Sequence, residues 1–335
     1  MIDSSKPEEV AVLQINIDSG ERRQISLSEK LPMIYDPTFS ADERYIYTPW
    51  YKEKWHLRKT MDPTDFRAMM CSQPGYQEMV RIHLDTGEVE PVFSATTWWM
   101  GHPNPHPVYP NLFMCCQEWF GEDEKSRWGR AKEHERIRVI DLDKMEWLDI
   151  YRRIPFQSAH EHWALSGKRI YAHGGLLGTH ALNRIDLEAG ENIWFPCQPN
   201  TGSSVHVMVA PNEQFMVGDG HNFDKYNMPA DIRRKLKEMA KRTDFDSVWF
   251  KGDLYRTNGG EIIWKYEFPE ETLWDYEKYG NDAAKFHADM AKYPEKTVRT
   301  IPVCRFRTLC RSHMLGYRLE SNAHVTPDSR WVVFQ

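Results

Sequence analysis

The chain has little cysteine: six among 335 residues, at positions 71, 115, 116, 197, 304 and 310, with one adjacent pair and no Cys-x-x-Cys. Such spacing makes neither a zinc ribbon nor a small disulfide-held scaffold, so reduced thiols are expected. Also missing is any apolar run near the roughly 18 residues that a membrane span needs, so no membrane partner is expected. The opening residues, Met1 to Glu9, lack a basic stretch followed by an apolar one; no signal peptide is read there, and a cytoplasmic setting is expected. Nor is there an excess of positive charge. The formal net charge of −6 argues against a general nucleic-acid partner, which would call for a basic surface.

Hydrophobic residues make up 41% of the chain and charged ones 27%, the balance of a globular protein able to bury a full core. Thirteen tryptophans are present; core packing accounts for most, with stacking on sugar rings a second use.

Two local patterns recur. The first is an alternating strand, a turn rich in Pro, Asn, Asp, Ser and Gly, and a second β-rich strand. It is found at Tyr35 to Tyr47, His106 to Cys115, Ser158 to Ala172, His206 to Gly220 and His324 to Phe334. The second is a strand ending in Asp, a turn and another strand, as at Val80 to Val89, Ile137 to Glu146 and Leu182 to Glu191. Two hairpins per repeat, at irregular intervals of about 45 residues or more, make four-stranded units, and radial repetition of such units is a β-propeller. The expected fold is therefore an all-β propeller, a single domain over residues 1–335 with about five blades. A β-sandwich is the alternative, but it leaves the recurrence of both hairpins unexplained.

Two stretches depart from the repeat. Pro229 to Arg242 places Ile232, Leu236 and Met239 on one helical face, and Glu270 to Tyr293 reads as helix interrupted near Gly280. Residues 221–300 are thus expected to be a blade carrying a helical insertion. At the start, Val10 to Glu21 matches a second hairpin without its first; at the end, the chain stops after a first hairpin without its second. Either these half-blades pair and close a five-bladed ring, or the chain is a piece of a larger propeller.

A propeller gathers the lead-in ends of its inner strands around one pocket. Here those lead-ins hold His102, His106, His160, His162, His206 and His324. Any one of them is as readily a solvated or core histidine; several at equivalent ends of repeats suggest a base near neutral pH or a set of metal ligands.

The order and spacing of several stretches resemble the oligogalacturonate lyase family, seven-bladed propeller polysaccharide lyases. They are Trp99 to Pro103, Cys116-Gln117-Glu118, Arg136 to Ile140, Ala159 to Trp163, Val205-His206, Val217 to Gly220 and Thr326-Pro327-Asp328. Against that family about two N-terminal blades and a final half-blade are missing, which favours the fragment over the closed ring.

The resemblance implies β-elimination on oligogalacturonate or a related acidic oligosaccharide, with His160 as Brønsted base and Arg136 binding substrate carboxylate. His102, Gln117, Trp99 and Trp163 are the implied substrate contacts. Manganese is the implied metal, held by His206 and by the lead-in to the last blade. There the chain departs from the family's Gln-x-x-His-x-His pattern and reads Tyr317 to His324, although Glu320, Asn322 and His324 alternate and would share one face of a strand. Gln117 also stands where the family often has His. The competing expectation is a non-catalytic propeller, a scaffold binding carbohydrate or protein.

Overall fold

The structure, a computed structural model, describes residues 11–16, 18–28, 31, 37–51, 75–96, 99–118, 136–148, 150, 157–198, 203–221, 261–270, 274–280, 282–306 and 323–333. The chain divides into two compact units, Met1–Pro155 and Phe156–Gln335.

The first unit opens with a hairpin of β1 (Ala11–Ile15) and β2 (Arg22–Ser26). Two four-stranded sheets follow. One is β3 (Thr38–Phe39), β4 (Tyr45–Trp50), β5 (Gln77–His83) and β6 (Val89–Ala95); the other is β7 (Trp99–Pro105), β8 (Leu112–Glu118), β9 (Ile137–Asp141) and β10 (Glu146–Leu148). The second unit has the same build. Its sheets are β11 (Gln157–Trp163), β12 (Arg169–Leu176), β13 (Thr179–Asp186) and β14 (Glu191–Pro196), then β15 (Ser203–Val209), β16 (Phe215–His221), β17 (Glu261–Glu267) and β18 (Arg299–Phe306). A last hairpin pairs β19 (His324–Val325) with β20 (Val332–Val333). Every pairing within these sheets is antiparallel between consecutive strands, the meander of a propeller blade.

Strands covered on both faces are apolar without alternation. In β8, Phe113, Met114, Cys115 and Cys116 are all fully buried. Between the two sheets of the first unit, Tyr47, Met79 and Phe93 pack with Met100, Phe113 and Ile140. The second unit repeats this with Tyr171, Leu182 and Phe195 against Val207, Met216, Trp264 and Tyr266.

Among the described residues one turn is built four times. Ser40, Ala164, Ala210 and Thr326 each accept at their carbonyl from the N–H three residues on, at Glu43, Gly167, Glu213 and Ser329. That residue is left-handed every time, with φ of 57°, 72°, 56° and 58°. The residue before it, Asp42, Ser166, Asn212 or Asp328, accepts with its side chain from the N–H two positions later. This is the short-acceptor chemistry that Asp, Asn and Ser bring to turns. Glu213 also ties sheet to sheet, accepting from Ser166 Oγ (2.6 Å), Arg169 Nη1 (2.9 Å) and Tyr171 OH (3.0 Å).

Between β17 and β18 the chain makes a 3-10 turn at Glu277–Tyr279, then α1 (Ala283–Lys292). Asp282 caps α1 by accepting from Lys285 N–H, and the buried pair Phe286 and Met290 forms its inner face. Gln198 Nε2 donates to Met290 O and Thr297 Oγ1, fastening this segment to the end of β14. Gly280, with φ of 52°, separates the two helical pieces, and the described residues before Glu277 are not helical. The segment Pro229 to Arg242 lies outside the described residues. Among the described residues no helix is long and apolar enough to cross a membrane.

Gly87 tests the packing of the first unit. Its φ is +75°, and a Cβ there would lie 1.8 Å from the carbonyl oxygen of Ser26. Gly20 has φ of +71° but open space around it. Gly87→Ala is expected to cost more than about 3 kcal/mol, and Gly20→Ala about 1 kcal/mol, the backbone strain alone. Denaturant midpoints of the two variants check this; equal losses would contradict the close approach.

Candidate active site

In three sheets the first strand carries one extra residue near its start. β7 pairs Gly101 with Cys116 but Asn104 with Met114; β11 pairs Ala159 with His173 but His162 with Tyr171; β15 pairs Ser204 with Gly220 but His206 with Asp219. These are β-bulges, which bend a strand and re-aim a side chain. A histidine lies in or directly after each: His102 and His160 inside the interruption, His206 just past it. All three stand four residues before the N–H that closes the hairpin, at His106, Ala164 and Ala210. His102 and His160 have φ of 47° and 52°. Left-handed backbone costs a non-glycine residue roughly 1–3 kcal/mol, so it persists only where the surroundings enforce it, often at functional sites.

In the second unit two of these histidines meet. The His160 and His206 rings are 4.6 Å apart between centroids, inclined at 62°. Asp219, buried and directly opposite on β16, accepts from the backbone N–H of His206 (2.9 Å) and lies 3.0 Å and 3.1 Å from its Nδ1 through its two oxygens. A carboxylate there holds the proton on Nδ1 and places the lone pair on Nε2, the arrangement that backs a metal-binding imidazole. Behind His160 the contacts run into the core. Its Nδ1 is 2.9 Å from His173 Nε2 on β12, and His173 Nδ1 is 3.3 Å from His180 Nε2 on β13. His180 Nδ1 lies 3.5 Å from Cys197 Sγ, and His173, His180 and Cys197 are all fully buried.

Two other histidines hold the frame. His162 accepts at Nε2 from Val209 N–H (2.8 Å), joining β11 to β15, and its Nδ1 lies 3.4 Å from His160 O. Burial pushes its imidazole down to about 4, from an ordinary 6.5. His106 accepts at Nδ1 from Val108 and Tyr109 N–H, closing its own turn.

The remaining expected residues are placed as follows. His102, Gln117 and Arg136 belong to adjacent strands at one end of the β7–β10 sheet in the first unit; Arg136 precedes β9, and its carbonyl accepts from Gln117 N–H (2.6 Å). Trp99 opens β7, its side chain outside the described residues. Trp163, at the end of β11, is 7% exposed, which leaves its indole little face for a sugar. His324 is exposed, with Nδ1 3.2 Å from Met208 Sδ, two residues along from His206. Glu320 and Asn322 lie outside the described residues. The backing groups His173, His180, Cys197 and Asp219 were not singled out from sequence as parts of the site. The signal for Asp219 was its place in Val217-Gly218-Asp219-Gly220, in the second strand of the hairpin that His206 opens; for the buried trio there was none short of the strand register.

Repeated meanders with bulge-borne histidines define the class of the molecule: an all-β propeller. No protein-family model matches the chain, and no curated protein matches it in sequence. Among solved structures it is similar to an oligogalacturonate lyase in complex with manganese (TM-score 0.59, 14% identity) and to oligogalacturonate lyase from Vibrio parahaemolyticus (TM-score 0.60, 14% identity). In both cases the likeness covers 98% of this chain and 68% of the other. The resemblance read from the motifs therefore holds at the level of the fold.

His162 yields a prediction with a sign. Its folded pKa is depressed, so between about 6.5 and 4 the unfolded chain takes up a proton that the folded chain refuses. Its contribution to stability is complete above pH 6.5 and is lost as the pH falls towards 4. His162→Leu leaves Val209 N–H without this acceptor and should cost roughly 1–3 kcal/mol at pH 7, while flattening the acid limb of a stability-against-pH curve. An unchanged acid limb would sink this assignment.

Proposed function

We propose that the protein cleaves oligogalacturonate, or a related uronate oligosaccharide, by β-elimination, with His160 as the base. One observation carries this: His160 is held in a strained bulge against the carboxylate-backed His206, in a fold shared with oligogalacturonate lyases.

The reaction needs a base and a centre of positive charge. The C5 proton of a uronate is weakly acidic, and its removal builds enolate charge on the adjacent carboxylate. Neutral imidazole takes the proton, the C5–H electron pair becomes the C4–C5 double bond, and the C4–O bond breaks with its electrons on oxygen; that oxygen takes a proton from the imidazolium or from water, leaving a 4,5-unsaturated uronate and an alcohol. Arg136 is the proposed ligand of the carboxylate, its planar fork suiting both oxygens. His102 and Gln117 are the proposed contacts to the rest of the substrate.

The donor chemistry at His206 fits manganese. Asp219 engages Nδ1, so Nε2 is the nitrogen that would ligate, and Glu320, Asn322 and His324 are the proposed partners. Asn322 stands four residues before Thr326, the spacing of His206 to Ala210. When bound, the ion would supply Lewis-acid stabilisation of the carboxylate's developing charge.

Mixing the protein with oligogalacturonate and manganese should raise the ultraviolet absorbance of the conjugated uronate. His160→Ala should lower kcat by about 10²–10⁴-fold while oligosaccharide binding persists, because the base acts in the transition state. His206→Ala should abolish the response to added manganese. Binding without any absorbance change, in the wild type and with manganese present, would instead establish the carbohydrate-binding scaffold.

A further inference from the structure

We propose that His173 is a positioning residue for His160, and that through His180 it fixes which nitrogen of His160 carries the lone pair; this rests on the elimination activity proposed above. The evidence is geometric. The His160 and His173 ring planes differ by 3°, with centroids 5.2 Å apart and nitrogens 2.9 Å apart. Parallel rings lying face to face stay about 3.5 Å apart, so these two meet edge to edge in one plane. That aims the lone pair of one nitrogen along the N–H of the other, as a hydrogen bond requires.

Proton counting then couples the chain. A neutral imidazole has one N–H and one lone pair. His173 meets His160 through Nε2 and His180 through Nδ1, and His180 meets Cys197 through its own Nδ1. Two proton orders satisfy all three contacts. In the first, His160 Nδ1–H donates to His173 Nε2, His173 Nδ1–H to His180 Nε2, and His180 Nδ1–H to Cys197 Sγ; the lone pair of His160 then sits on Nε2. In the second, every donor and acceptor is exchanged, and Nε2 of His160 carries a proton and takes none. Only the first order makes Nε2 a base. As Nε2 accepts the C5 proton, the Nδ1–H bond to His173 becomes charge-assisted and strengthens in the transition state, without any proton moving along the chain.

The test uses the full chain with histidines labelled with ¹⁵N, together with elimination kinetics on oligogalacturonate plus manganese. The wild-type spectrum should show His160 as the Nδ1–H tautomer. His173→Leu should shift that resonance and lower kcat about ten- to a hundredfold with KM held within about twofold, since His173 is buried away from substrate. His173→Gln, whose amide oxygen reaches as Nε2 does and accepts from Nδ1–H, should restore most of the rate. A purely structural role would not separate Gln from Leu in this way. An Nε2–H tautomer in the wild type overturns the proposal, and that measurement stands even if the Leu variant does not fold. So does a folded Leu variant with full kcat, which would leave the elimination reading intact. Conversely, no elimination by the wild type, with a His160 resonance that still follows His173, sinks the elimination reading and leaves the tautomer coupling standing.

Discussion

One extra residue in the first strand of a sheet sets what this molecule can do. A regular antiparallel strand sends alternate side chains to opposite faces, and both faces of these sheets are packed. The bulges interrupt that rule, so that His160, inside one, and His206, directly after another, meet ring against ring. The left-handed backbone at His160 is the cost of the arrangement, and the pairing of β11 with β12 before and after the bulge holds it in place.

Polar groups in such a core must be satisfied in sets. Asp219 is buried, yet it sits opposite two donors of a single residue, the backbone N–H and the ring of His206. His173 and His180 are buried, yet each meets a polar neighbour through both ring nitrogens. A set of this kind is high-stakes: low surrounding polarity strengthens each bond, and loss of one member exposes the rest. This favours a site whose supporting groups lie deeper than the groups that meet the ligand.

The fold was legible because its signals are local. The turn is announced by four residues at a time, and the Asp-ended strands mark the second hairpins. The site was legible only in part. His102, His160 and His206 stand out as histidines on strand lead-ins, and their common four-residue spacing to the hairpin closure was there to be counted. His173 and His180 look like ordinary core positions of two adjacent strands, since nothing local reveals that the Ala159–His173 and Gly175–His180 pairings bring them into one line with His160. His162 shows the converse: two positions from His160 and the same residue type, it faces the neighbouring strand and serves as an acceptor for Val209.

The repeated turn bears on how such a fold travels through sequence space. What it asks at its third position is a short side chain with an oxygen, and Asp42, Ser166, Asn212 and Asp328 each meet that demand. Its left-handed position is filled by Glu, Gly, Glu and Ser. Requirements this permissive, written four times over, fix the backbone while leaving much of the residue choice open. Such a fold asks little of the spelling of its sequence, and this chain shares its fold with structures to which it is only 14% identical.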